Sequence, residues 1–96
     1  MLSMPVTHHA TARMQQRAVR PEIVDYLLEF GRCEHHHYGA LLYYFDRRGR
    51  GRERLRRVAG SDAYRRLEPA LDAYAVVSGD GELVTVGHRY KRINHH

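Results

Sequence analysis

Two short stretches hold the residue types needed to move a proton beside a phosphate. Near the N-terminus, His8 and His9 precede Arg13 and Arg17, which are one helical turn apart. Near the C-terminus, His88 is followed directly by Arg89. Cleaving a ribose phosphodiester without metal requires a base for the 2′-OH proton, an acid for the leaving oxygen and cations for the charge developing on the phosphate. His8 or His9, Arg13, Arg17, His88 and Arg89 are of those types, and Tyr43, Tyr44 and Tyr74 can stack on bases or orient a phosphate. Each group also has a plain structural use. His8-His9 can cap a helix, Arg13 and Arg17 can pair with Glu22, Asp25 or Glu29, and Arg89 can cover a sheet edge.

A second group lies in the run Arg47, Arg48, Arg50, Arg52, Arg54, Arg56 and Arg57. A guanidinium is a planar, permanently charged fork that fits phosphate, so Arg47, Arg48, Arg50, Arg52 and Arg56, with Tyr43, are candidate RNA contacts. The same run could receive an acidic protein segment, or stand solvated and partly balanced by Glu53, Asp62 and Glu68. Spacing alone does not choose between RNA and an acidic protein.

His35, His36 and His37 invite a metal reading. On a strand, His35 and His37 share a face with Cys33, a geometry that zinc accepts. A further ligand would have to come from His9 or His88, and no CxxC or HExxH accompanies the run. The expectation is therefore a polar strand whose imidazoles line a nucleic-acid or partner surface, with no metal and no cofactor. The terminal His95-His96 pair carries no weight.

The elements that position these groups can be read from periodicity. Thr7 can cap a helix that runs to Ala18, with Ala10, Met14 and Ala18 as a thin apolar stripe beside the Arg13–Arg17 ridge. Pro21 opens a second helix in which Ile23, Tyr26, Leu27 and Phe30 mark the buried face, and Gly31 is a candidate left-handed stop. Residues 32–38 and 41–46 read as a hairpin about Gly39-Ala40. Residues 74–78 and 83–87 read as a second, tight hairpin about Asp80-Gly81. Between them, Gly49 and Gly51 should break regular structure, with helices at Arg52–Ala59 and from Ser61 to about Leu67. On the last strand, alternation groups Val84, Val86 and His88 on one face and Leu83, Thr85 and Gly87 on the other. If Val84 and Val86 are buried, Arg89 emerges on the free face beside Thr85, while His88 starts on the core side. The expected class is α+β: two N-terminal helices, then a four-stranded, mainly antiparallel sheet with a helical, Arg-rich insert between its hairpins.

Size and charge narrow the function classes. With 96 residues, a single domain spanning 1–96 is expected and a two-domain enzyme is excluded. Hydrophobic residues at 43% and charged residues at 28% argue for a folded chain rather than a disordered one. The net charge of +5 points to an anionic partner, and all but one of the 16 basic residues are arginine, the exception being Lys91. A GC-rich genome would leave the same arginine habit. The single cysteine, Cys33, makes no internal disulfide, which favours the cytosol. Met1 to Ala10 lacks the pattern of an export signal, and the longest apolar run, Ala40 to Phe45, falls far short of the roughly 20 residues a membrane helix needs.

The stretch Thr7-His8-His9-Ala10, Arg13-Met14-Gln15-Gln16-Arg17, Val19, Pro21-Glu22, Val24 and Gly31 resembles a widespread bacterial family of small domains of unknown function with an N-terminal THHAxxRMxxR motif. Asp72-Ala73-Tyr74-Ala75-Val76-Val77 and Leu83-Val84-Thr85-Val86-Gly87-His88-Arg89 resemble its closing hairpin. The likeness covers nearly the whole chain except the insert from Arg47 to about Pro69. That family is similar in element order to the RelE/ParE/BrnT group of toxin–antitoxin proteins, in which helices cover one face of an antiparallel sheet. The resemblance implies a toxin-like domain with a RelE-like fold, its chemistry left open; RelE-like members cleave RNA. The paired N- and C-terminal motifs on a basic domain make a metal-independent endoribonuclease the leading expectation, with His9 as base or acid, Arg13, Arg17 and Arg89 as phosphate ligands, His88 as a second acid–base group, and an acidic antitoxin protein as the candidate partner. ParE-like members use the same scaffold against a protein target, so the alternative is a module that binds nucleic acid or protein without cutting it.

Overall fold

Helix α1 (His8–Gln16) begins where Thr7 can satisfy its first amides: the Thr7 side chain accepts from the Ala10 amide at 3.1 Å in the computed structural model, which describes residues 4–89. Lys91 and the His95-His96 pair lie outside the described residues. The helix stops short of Ala18, which takes a left-handed φ of 53° and turns the chain toward Pro21. Helix α2 (Pro21–Phe30) starts on that proline and buries Ile23, Val24 and Leu27. Tyr26 and Phe30, expected on its buried face, are half-buried and stack on each other at its margin. Gly31 is not a left-handed stop, since its φ is −73°. It is required by close approach instead: a Cβ there would sit 2.9 Å from the Tyr44 carbonyl oxygen and overlap that of Leu27.

Strands β1 (Arg32–His35), β2 (Leu41–Tyr44), β3 (Ala73–Val77) and β4 (Leu83–His88) form one sheet in that order, every neighbouring pair antiparallel. The fold is thus α+β, as expected. The outer edge of β4 is partly covered by the N-terminal segment, where Thr7 donates to the Leu83 carbonyl at 3.0 Å and Leu83 donates to that of Pro5 at 2.9 Å. The first hairpin is shorter than expected because His37–Gly39 forms a 3₁₀ turn with Tyr38 at φ 57°. The second hairpin is not a two-residue turn. Gly81 donates to the Ser78 carbonyl at 2.9 Å and sits at φ 87°, while Ser78 donates to the Glu82 carbonyl at 2.8 Å, a three-residue loop with a glycine bulge.

A register shift beside Val77 changes the faces of β4. Leu83 pairs with Val77 and Val86 with Ala75, so Leu83 and Val86 both face the helices, and Val84 is the extra residue between them. Strict alternation had separated Leu83 from Val86. Beyond the shift, Thr85 opposes Val76 and Gly87 opposes Tyr74 on the other face.

Between β2 and β3 run helices α3 (Gly49–Ala59) and α4 (Ser61–Leu67). The glycines do not delay α3 to Arg52. Gly51 lies inside it because the Asp46 side chain occupies the space a Cβ would need, placing a carboxylate near the helix N-terminus, where it is favourable. Leu55 of α3 and Tyr64 and Leu67 of α4 join Ala10, Val24, Leu27, Phe45, Ala73, Ala75, Val77, Leu83 and Val86 in one core. Helices α1 and α2 lie on the sheet face of Ala73, Ala75 and Val77, and α3 and α4 pack on α2 and on each other around the same core. The opposite face, bearing Leu42, Tyr44, Tyr74, Val76 and Thr85, has no helix over it among the described residues.

Candidate functional site

The end of α1 lies along β4, and Arg17 reaches across it. Its Nη1 donates to the Val86 carbonyl at 3.0 Å and to the Tyr74 hydroxyl at 3.2 Å. Gly87 makes this crossing possible, since a Cβ there would stand 2.7 Å from that same nitrogen and 2.8 Å from the Tyr74 hydroxyl oxygen. His88 fastens the neighbouring backbone. Its Nδ1 is 3.1 Å from Asp72 Oδ1 and its Nε2 is 2.7 Å from the Arg17 carbonyl oxygen. Both partners are acceptors, so the ring satisfies both only with a proton on each nitrogen.

Arg89 leaves the end of β4 on the open face. Its Nη2 donates to the Phe45 carbonyl at 2.7 Å, and its guanidinium carbon lies 4.8 Å over the Tyr44 ring. Its Nε is buried with no hydrogen-bond partner among the described residues. Burial first, and then the nearby Arg47 charge, lower its pKa from the usual guanidinium range. Beneath it, the Tyr44 hydroxyl donates to Glu34 Oε1 at 2.8 Å; burial, reinforced by that carboxylate, pushes the phenol up to about 12.

Tyr74 joins the two arginines. It lines one cleft with Gln16, Arg17, Ala18 and His88, and a second cleft of about 300 Å³ with His36, Leu42, Val76, Thr85 and Arg89. The surface so formed has one phenol ring, Tyr74, shared by both clefts, with Arg17 bordering the first and Arg89, Leu42 and Val76 the second, while Tyr44 is buried beneath Arg89. Chemically it can accept a planar ring and hold a phosphate beside it.

Of the candidates read from sequence, the structure brings Arg17 and His88 into contact, and Arg89 borders the adjoining cleft on the far side of Tyr74. His9 and Arg13 form a separate pair on the exposed side of α1, with Arg13 Nε donating to His9 Nε2 at 3.3 Å and Nη1 to Gln16 at 3.2 Å. His8 is exposed beside them. Tyr43 sits opposite Ala75 and Cys33 and packs against the core, so the rings on the open face are Tyr44 and Tyr74. In the insert, Arg52 donates to the Tyr64 hydroxyl at 2.8 Å and to Glu68 at 3.3 Å, and Arg56 lies over the Tyr64 ring. Arg48 and Arg50 are exposed, and Arg47 is half-buried toward Arg89.

Leu42, Val76 and Gly87 are parts of this surface that the sequence did not single out, whereas His36 was expected on a nucleic-acid or partner surface and Thr85 on the free face beside Arg89. A glycine inside a strand is a signal of close backbone approach and could have pointed to Gly87. His35 and His37 do not form a strand pair, because His37 has turned into the 3₁₀ segment. Among the described residues, no three His, Cys, Asp or Glu side chains are grouped to hold a metal, and no helix is long and apolar enough to cross a membrane. Comparison with known proteins returns no matching family model, no matching curated protein and no matching solved structure.

Proposed function

We propose that this chain is a toxin-like domain of the RelE/BrnT kind that acts as a metal-independent endoribonuclease, taking an RNA strand on the open face of its sheet. The observation that supports the reading is the sharing of Tyr74 between the Arg17 cleft and the Arg89 cleft, over a floor of Leu42 and Val76. A base stacks on the floor, and the two guanidinium groups hold the phosphate as charge builds on it. The Tyr74 hydroxyl accepts from Arg17, which leaves its own proton for a phosphate or leaving oxygen. His9, on the solvent side of α1, serves as the base for the 2′-OH once its Nε2 lone pair, which accepts from Arg13 Nε at 3.3 Å, is released to take the proton. His88 acts as a clip between Asp72 and Arg17. An acidic antitoxin segment is the partner that would cover this basic face.

The test is incubation of purified protein with mixed-sequence RNA, with and without EDTA. Attack by the 2′-OH expels the 5′-oxygen, so the expected products carry 2′,3′-cyclic phosphate and 5′-hydroxyl ends in both conditions. His9→Ala and Tyr74→Phe should each slow cleavage by about 100-fold or more, the usual worth of a positioned acid or base. RNA left intact over hours in both conditions overturns the enzymatic reading.

A second reading is favoured by one specific feature: both His88 ring nitrogens are already bonded, and His9 stands outside the two clefts. A non-catalytic module would bind RNA on the same face without cutting it. Arg89→Gln would then weaken RNA retention while His9→Ala changed nothing.

A further inference from the structure

We infer that the solvent side of α3 is a second nucleic-acid surface, in which Arg50, Arg54 and Arg57 bind successive phosphates of an RNA strand. The choice of RNA as the anion rests on the RNA-acting reading above. The arginines of α3 and α4 divide into two sets. Arg52 is held by Tyr64 and Glu68, Arg56 by the Tyr64 ring, Arg65 by Asp62 at 3.3 Å and Arg66 by Glu22 at 3.5 Å. Arg50, Arg54 and Arg57 are exposed and have no hydrogen bond or ion pair among the described residues. Glu53, the acid on α3, forms no ion pair with them.

Helical geometry aligns the unpartnered set. At about 100° per residue, positions 50, 54 and 57 fall within a sector of about 60°, turned about 130° from the buried Leu55, and are about 6 and 4.5 Å apart along the axis. Like charges at this spacing destabilise an isolated helix. No hydrogen bond or ion pair among the described residues compensates, which points to an external anion as the group that does. A protein partner would need an apolar or aromatic anchor at the centre of its interface. Here the exposed large apolar side chain on α3 is Val58, alone and half-exposed. A phosphate backbone needs no such anchor, and the Arg fork fits it directly.

The experiment measures binding of the full chain to a fluorescent 20-nucleotide 2′-O-methyl RNA, which has no 2′-OH to be cleaved, by anisotropy from 50 to 300 mM KCl. A single strand contributes a slope of about −0.7 in log K against log salt per phosphate neutralised. The R50Q/R54Q/R57Q variant should therefore lose about 2 from the wild-type slope and bind at least about tenfold more weakly at the lowest salt, while the corresponding triple Lys variant keeps the slope. Circular dichroism confirms that both variants fold. An unchanged slope overturns the surface. So does loss of poly-glutamate binding in the Gln variant with RNA binding intact, which would assign the stripe to an acidic polypeptide. Cleavage of ordinary RNA is read separately: wild-type protein that binds but does not cut defeats the ribonuclease reading and leaves this one standing. A changed cleavage rate with an unchanged slope does the reverse.

Discussion

The Tyr44 hydroxyl donates to Glu34 under the Arg89 guanidinium, so losing its proton would set a phenolate against a carboxylate in a mostly dry place. Its folded pKa of about 12 lies above the ordinary value of 10.0. Folding therefore favours the protonated phenol. That contribution is complete below about pH 10 and is lost as pH rises through 12. Urea unfolding between pH 9 and 12 should show a steeper loss of stability in the wild type than in Tyr44→Phe, and identical slopes would mean the ring is not held as described. Gly87 is a second point of residue-scale control. Gly87→Ala places a methyl against Arg17 and Tyr74, and is expected to cost about 1–3 kcal/mol and to weaken RNA binding by displacing that pair. Urea midpoints and RNA anisotropy on the same variant check both effects.

At the scale of elements, Thr7→Ala should remove the cap of α1 and cost about 1 kcal/mol, measurable as a lowered urea midpoint, because the Ala10 amide would lose its acceptor. This cap was legible from Thr7 standing before a run of helix formers, as was α2 from Pro21 and the spacing of Ile23 and Leu27. What escaped the sequence was decided by contacts between distant segments. Gly31 and Gly51 read as breakers, yet each is placed by what packs on it, the Tyr44 backbone in one case and the Asp46 side chain in the other. The site shows the same division. Arg17, His88 and Arg89 were recognisable by type, whereas the choice of Tyr44 over Tyr43 depends on sheet register, and the grouping of Leu83 with Val86 depends on one extra residue in β4. His88 bonds to Arg17 across 71 residues of chain, a pairing no local pattern specifies.

Over the whole molecule, a Cα radius of gyration of 12.7 Å is that of one folded domain of this length. Its positive charge is distributed by use. Arg52, Arg65 and Arg66 tie the insert together, Arg17 and Arg89 border the open face, and Arg50, Arg54 and Arg57 point outward from α3. Raising salt should therefore weaken RNA binding steeply while moving the urea midpoint little, since no charged residue among the described residues is fully buried. Binding isotherms and unfolding curves at matched KCl concentrations test that separation.

The double hold on Arg17 has a dynamic consequence. Its carbonyl is fixed by His88 and its guanidinium by Val86 and Tyr74, while Thr7 at the other end of α1 is bonded to Leu83. Helix α1 is thus fastened at both ends to the final strand and should open together with it as one cooperative unit. In native-state hydrogen exchange, the amides of α1 and β4 are expected to share one opening free energy, and His88→Ala should lower protection in both. The first helix and the last strand of the described residues would then be the pair that comes apart in a single step.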